Sequence, residues 1–148
     1  MIILVFSLTL SHSVLANSTT NKSPNQPSFE IADTFYKNNV NKKDYEEFAD
    51  AKLKVRELIM VQDLPKVFDN REWMNYSSVW KTYQKKDIIE NTKDLAPDQQ
   101  VYFFFSLKDD GENIYIKNAM YDAKTKEIYS KGNGHWTKEE FKRKFEQK

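Results

Sequence analysis

The stretch Gln100 to Leu107, QVYFFFSL, limits the fold more than any other part of the chain. It is too short to stand alone as a helix. Its aromatic side chains fall on both faces of a strand, so both faces need a cover. A strand covered on both faces belongs at the centre of a sheet. The polar segment Lys108 to Asn113 supplies a turn, with Gly111 free to take positive φ, and Ile114 to Tyr121 returns as the next strand. A second polar turn, Asp122 to Lys126, leads into Glu127 to Ser130, and the expected unit is a three-stranded antiparallel meander.

Upstream of the meander the apolar spacing is helical. Phe29, Ala32, Phe35, Tyr36 and Val40 predict a short first helix. Asn41 is placed to cap a second, with a stripe through Tyr45, Phe48, Ala51, Val55, Leu58, Ile59 and Val61 that Pro65 brings to an end. Trp73, Tyr76, Trp80 and Tyr83 follow at steps of three, four and three and predict a third helix, although Ser78 to Tyr83 also suits a pleated surface. Ile88 and Ile89 mark a possible short strand before Pro97. At the other end of the chain, Thr137 and Glu140 have the spacing of a capping box, and Trp136 is placed to staple onto Phe141. That start predicts a last helix, docked through Phe141 and Phe145.

The expected class is therefore α+β, with N-terminal helices packed on an antiparallel β-meander and a C-terminal helix closing the domain. From about Phe29 to Ser130, this order of elements resembles that of the cystatin-like and nuclear-transport-factor-like cones. The resemblance lies in element order alone and implies no functional residues. The terminal helix departs from it.

The N-terminus reads as an address. Met1 to Leu10, MIILVFSLTL, has the length of a signal-peptide apolar core and is shorter than the roughly 18 residues that a membrane span needs. Val14 and Ala16 are small residues at the positions a signal peptidase reads before a cut ahead of Asn17, although no Lys or Arg precedes the apolar run. Asn17 to Ser28 is almost free of apolar side chains and reads as a flexible tether. The expected organisation is a signal peptide over 1–16, a linker over 17–28 and a single domain over 29–148. On this reading the mature protein is periplasmic or extracellular and keeps no stable membrane anchor. Three Asn-X-Ser/Thr matches, at Asn17, Asn21 and Asn75, are read as chance in a chain rich in Asn and Ser.

Composition narrows the chemistry. With 23 basic and 22 acidic residues the formal charge is +1, so no global field draws the chain to nucleic acid. Cysteine is absent, which excludes disulfides, thiolate nucleophiles and thiolate zinc sites. After removal of the leader, His135 is the sole imidazole; it lies in the segment Lys131 to Trp136, which its two glycines mark as a loop. Neither paired-histidine spacing nor a phosphate-cradling glycine loop is present, and Asp109 to Asn113 lacks the ligand spacing of a calcium loop. No cofactor and no metal are expected.

What stands out is the aromatic supply of eight Tyr, ten Phe and three Trp. Tyr and Trp dominate binding surfaces when partly exposed on a rigid face. The stripe Trp73, Tyr76, Trp80 and Tyr83 is the first candidate for partner binding, with His135 and Trp136 second, against the alternative that these rings are core. The leading functional expectation is an exported, non-enzymatic module for a protein partner in the cell envelope, for instance an inhibitor or immunity-type protein. The alternatives are a pocket protein whose aromatic-lined cavity holds a small molecule, and a hydrolase that uses carboxylates.

Overall fold

A computed structural model describes residues 28–69, 73 and 76–146. The leader and residues 17–27 of the tether lie outside the described residues. The class is α+β: a four-stranded antiparallel sheet in the order β1-β2-β3-β4, with helices before and after it. The elements are α1 (Ala32–Asn39), β1 (Leu53–Met60), a 3₁₀ segment (Val61–Asp69), α2 (Ser78–Thr92), β2 (Gln100–Asp109), β3 (Asn113–Asp122), β4 (Ile128–Thr137) and α3 (Lys138–Phe145).

The aromatic run forms β2, and seven consecutive residues, Val101 to Leu107, are buried. Alternation divides them between two cores. Val101, Phe103, Phe105 and Leu107 meet Leu53, Val55, Ile116 and the rings of Trp73, Trp80 and Phe141 beneath α2, α3 and the 3₁₀ segment. Tyr102 and Phe104 meet Phe35, Tyr45, Ala119 and Tyr121 on the other face, beneath α1. Phe35 stacks on Tyr102 at 3.8 Å, and the Tyr102 hydroxyl donates to the Glu30 carbonyl at 2.8 Å, which ties the entry to α1 onto the sheet.

The sheet has one more strand than expected. The segment read as a long second helix from Asn41 to Val61 is instead a loop, then β1, and then the start of the 3₁₀ segment. In β1, Leu53 and Val55 face the larger core while Lys54 and Arg56 alternate with them. Each β1 residue from Leu53 to Met60 pairs with β2. The ladder to a buried strand satisfies backbone groups that would otherwise be left without partners, and this outweighs a helical spacing made by joining loop and strand residues. The uninterrupted order of helices then strands does not hold, because β1 precedes α2.

Two other expectations are corrected. The third helix does not include Trp73 or Tyr76. It starts at Ser78, because the Ser77 hydroxyl caps it by accepting from the Trp80 N–H at 3.1 Å, and it runs to Thr92 through Ile88 and Ile89, where a short strand was expected. The Lys131 to Trp136 segment is part of β4, not a loop. Gly134 is needed there because a Cβ would lie 2.5 Å from the Trp136 ring and 2.9 Å from Ile116.

The turns and the last helix follow the sequence reading. Gly111 takes φ 102° between β2 and β3, where its N–H donates to the Asp109 carboxylate at 2.9 Å. The Asp110 carboxylate accepts from the N–H groups of Glu112 and Asn113, and these bonds hold its pKa below the usual aspartate value. The carboxylates of this segment thus serve the turn. At α3 the Thr137 hydroxyl accepts from the Glu140 N–H at 3.1 Å and the Glu140 carboxylate accepts from the Thr137 N–H at 2.9 Å, completing the capping box. Trp136 packs on Phe141 with centroids 6.1 Å apart.

Candidate functional site

The structure separates the candidate aromatics. Trp73 and Trp80 are 0% exposed, 5.5 Å apart and packed on Phe105, so they belong to the core. Tyr76 is half-buried against both. Of the stripe, Tyr83 alone is exposed, at 41%; it leans on Phe145 at 5.5 Å, with the Lys144 ammonium 5.1 Å from its ring centre. Trp136 is half-buried on the same side, and the same ammonium lies 5.8 Å from it. His135 is next to Trp136 in a strand and so projects from the opposite face. There it is exposed, stacked on Tyr115 at 4.6 Å with planes 12° apart, and its Nε2 lies 3.2 Å from Asn113 Oδ1. The six residues do not converge on one site.

What His135 belongs to is the open edge of the sheet. β4 pairs with β3 on one side and with no described strand on the other. The pairing phase fixes which backbone groups turn outward. Lys138 donates its N–H to the Glu112 carbonyl at 2.8 Å, just past the Asn113–Thr137 pair. Hydrogen-bonded and non-bonded pairs alternate in an antiparallel ladder. Trp136, Gly134 and Gly132 therefore bond to Ile114, Ile116 and Asn118, while the N–H and C=O groups of Lys131, Asn133 and His135 point away from the sheet. Among the described residues, no backbone bond outside the ladder reaches these three.

The other edge, β1, is blunted. Arg56 there is locked to the loop by two bonds to the Glu47 carboxylate, at 2.8 and 2.7 Å, and to α1 by one to Asp33 at 2.7 Å. Its guanidinium also lies 4.0 Å from the centre of the Tyr36 ring. The Glu47 bonds raise the Arg56 pKa further above its already high value, so the charge is fixed. Charged side chains of this kind are how natural sheets close an edge. β4 carries one Lys and no acid in ten residues.

Beside the open edge lies a polar groove of about 490 Å³, floored by Lys117, Asn118, Gly132 and Asn133 and walled by the loop Lys42 to Glu46. Ser106 fixes that loop, its hydroxyl accepting from the Phe48 N–H at 3.0 Å. Tyr45 lies beneath the groove with a buried hydroxyl that has no hydrogen-bond partner among the described residues. Burial, with Glu47 next in weight, drives its pKa far up and keeps it neutral. Tyr121, whose hydroxyl is likewise buried, is pushed up to about 12 by burial first and by Asp44 second.

Four lysines line or flank the groove against two acids. Lys131 pairs with Asp44 at 2.9 Å and Lys42 with Glu46 at 3.6 Å. Lys117 bonds to the Glu46 main-chain carbonyl, at 3.1 Å, and lies 4.5 Å from the centre of the Phe48 ring, and among the described residues neither it nor Lys43 has a carboxylate partner. Sequence reading missed this site because it took residues 131–136 for a loop. The available signal was the alternation of Lys131, Asn133 and His135 with Gly132, Gly134 and Trp136.

No group of three or more His, Cys, Asp or Glu residues placed to hold a metal ion occurs among the described residues. No helix among them is long and apolar enough to cross a membrane. No protein-family model, curated protein or solved structure matches the chain.

Proposed function

We propose that the protein is an exported, non-enzymatic binding module that holds a protein partner in the cell envelope, as an inhibitor or immunity-type protein does, by taking a strand of that partner onto β4. The observation that carries this reading is the outward-turned backbone of Lys131, Asn133 and His135 on an edge with a single lysine to guard it. An unguarded edge is a template for another chain, and main-chain hydrogen bonds supply the affinity in such complexes. Export is supported by the apolar leader and by Val14 and Ala16 before Asn17.

The reading is tested with a photo-crosslinking phenylalanine derivative placed at His135 or, as a control, at Lys54 on β1. In envelope extract of the source cell, the His135 probe should give one discrete adduct and the Lys54 probe none. The Asn133 N–H faces outward, so Asn133→Pro breaks no bond to β3, yet it removes a donor that a new strand needs. The adduct should disappear in that background. Adducts that form equally from Lys54, that survive Asn133→Pro, or that arise only in cytosolic extract would overturn the proposal.

A further inference from the structure

We infer that the strand received by β4 alternates acidic and apolar residues, its acids lying on the groove side of the sheet. This deepens the strand-addition reading and rests on it. Lys131, Asn133 and His135, whose backbone groups face the incoming strand, share a face with Lys117 and Ala119 by cross-strand pairing. A chain added to β4 brings every second side chain to this face, within about 4.5–5.5 Å (Cβ to Cβ) of its cross-strand neighbour. Those side chains meet the groove.

The groove is cationic in a protein whose formal charge is only +1. Among the described residues, no carboxylate pairs with Lys117 or Lys43, and the Lys117 ammonium is already held by the Glu46 carbonyl and the Phe48 ring, so it loses little freedom on pairing. Carboxylates brought into this groove are favoured by charge complementarity and ammonium groups are not. A lysine-rich strand would be rejected by charge alone.

The other face asks for something different. Gly132 and Gly134 have no side chains, and the half-buried Trp136 ring covers Gly134. An incoming side chain on that face therefore lies along the exposed part of the indole, where an apolar group removes surface from water. The two faces together specify acidic and apolar residues in alternation.

The probe is a short, fluorescently labelled peptide alternating glutamate and valine, titrated into the full protein. Its controls are the same peptide with threonine for glutamate, with lysine for glutamate, or with alternate backbone nitrogens methylated. We expect the glutamate peptide to bind about tenfold more tightly than the threonine peptide, with Lys43→Glu combined with Lys117→Glu erasing the difference and the lysine peptide failing to bind. Raising salt to about 0.5 M should shrink the same difference. Methylation should abolish binding, because it removes the donors that pair with β4.

Equal binding of the glutamate and threonine peptides would overturn the acidic assignment while leaving strand addition standing. Equal binding of the methylated peptide would overturn both, since charge without pairing would then be sufficient. Failure of every peptide would overturn the assignment, and the crosslinking experiment at His135 would decide separately whether β4 docks any strand. Concentration-dependent self-association that blocks the peptide would give the edge to a second copy of the chain and overturn it too.

Discussion

Trp80→Ala is expected to cost about 3–5 kcal/mol of stability, the range for truncating a fully buried large aromatic side chain. Trp80 is 0% exposed and its ring packs on Trp73, Tyr76, Phe105 and Phe141, so the cavity would open where α2, α3 and the sheet meet. For a domain of this size the loss corresponds to a fall in Tm of roughly 10–15 °C. Tyr83→Ala, one turn along and exposed on one side, should cost about 1 kcal/mol. Trp80→Phe should cost less than Trp80→Ala by more than ring volume alone accounts for, because the indole Nε1 has no acceptor among the described residues and its removal relieves a buried unmet donor. Denaturant unfolding of the three variants checks the order; equal losses for Trp80→Ala and Tyr83→Ala would contradict the placement of the stripe.

The second large effect is expected at Arg56. Its partner Glu47 has a side chain only 3% exposed, while the Arg56 side chain is 24% exposed. Removing the guanidinium leaves a buried carboxylate with no counter-ion, for which the usual loss is about 3–5 kcal/mol. The partial exposure of Arg56 lowers the expectation to roughly 2–4 kcal/mol, and Asp33, at 64% exposed, adds little. Arg56→Lys should recover only part of it, since an ammonium cannot reproduce the two parallel bonds to Glu47. The double variant Glu47→Ala with Arg56→Ala should lose less than the two single losses added together, because neither charge is stranded. Additive losses in a double-mutant cycle would show that the pair does not act as a unit.

These two residues also mark where the sequence was legible and where it was not. Trp80 lay on a stripe whose core role was already the alternative to surface binding, and burial then divided the stripe between core and surface. Arg56 lay inside the span read as the second helix, which is instead loop, β1 and the start of the 3₁₀ segment. The aromatic run of β2 had been assigned to the centre of a sheet, and a central strand needs a neighbour on each side; β1, Leu53–Met60, is the neighbour that the meander did not supply. Its alternation of Leu53 and Val55 with Lys54 and Arg56 was present in the sequence, but Tyr45, Phe48 and Ala51, which belong to the loop, completed a helical spacing by coincidence.

The ends of elements with local chemistry were easier to read. The capping box at Thr137 and Glu140 and the turn at Gly111 depend on contacts within a few residues, so spacing alone reveals them. The edge site depends on how strands are ordered and on which backbone groups turn outward, and neither quantity is local. Glycines at 132 and 134 were read as loop signals, whereas in β4 they permit Asn118 and Trp136 to cross over the strand.

Amide hydrogen exchange along β4 in the isolated protein tests the whole account most directly. If the edge is open, the N–H groups of Lys131, Asn133 and His135 exchange rapidly while those of Gly132, Gly134 and Trp136 are protected by their bonds to β3. Uniform protection of all six would mean that something already occupies the edge, and a strand-accepting β4 would have to be abandoned.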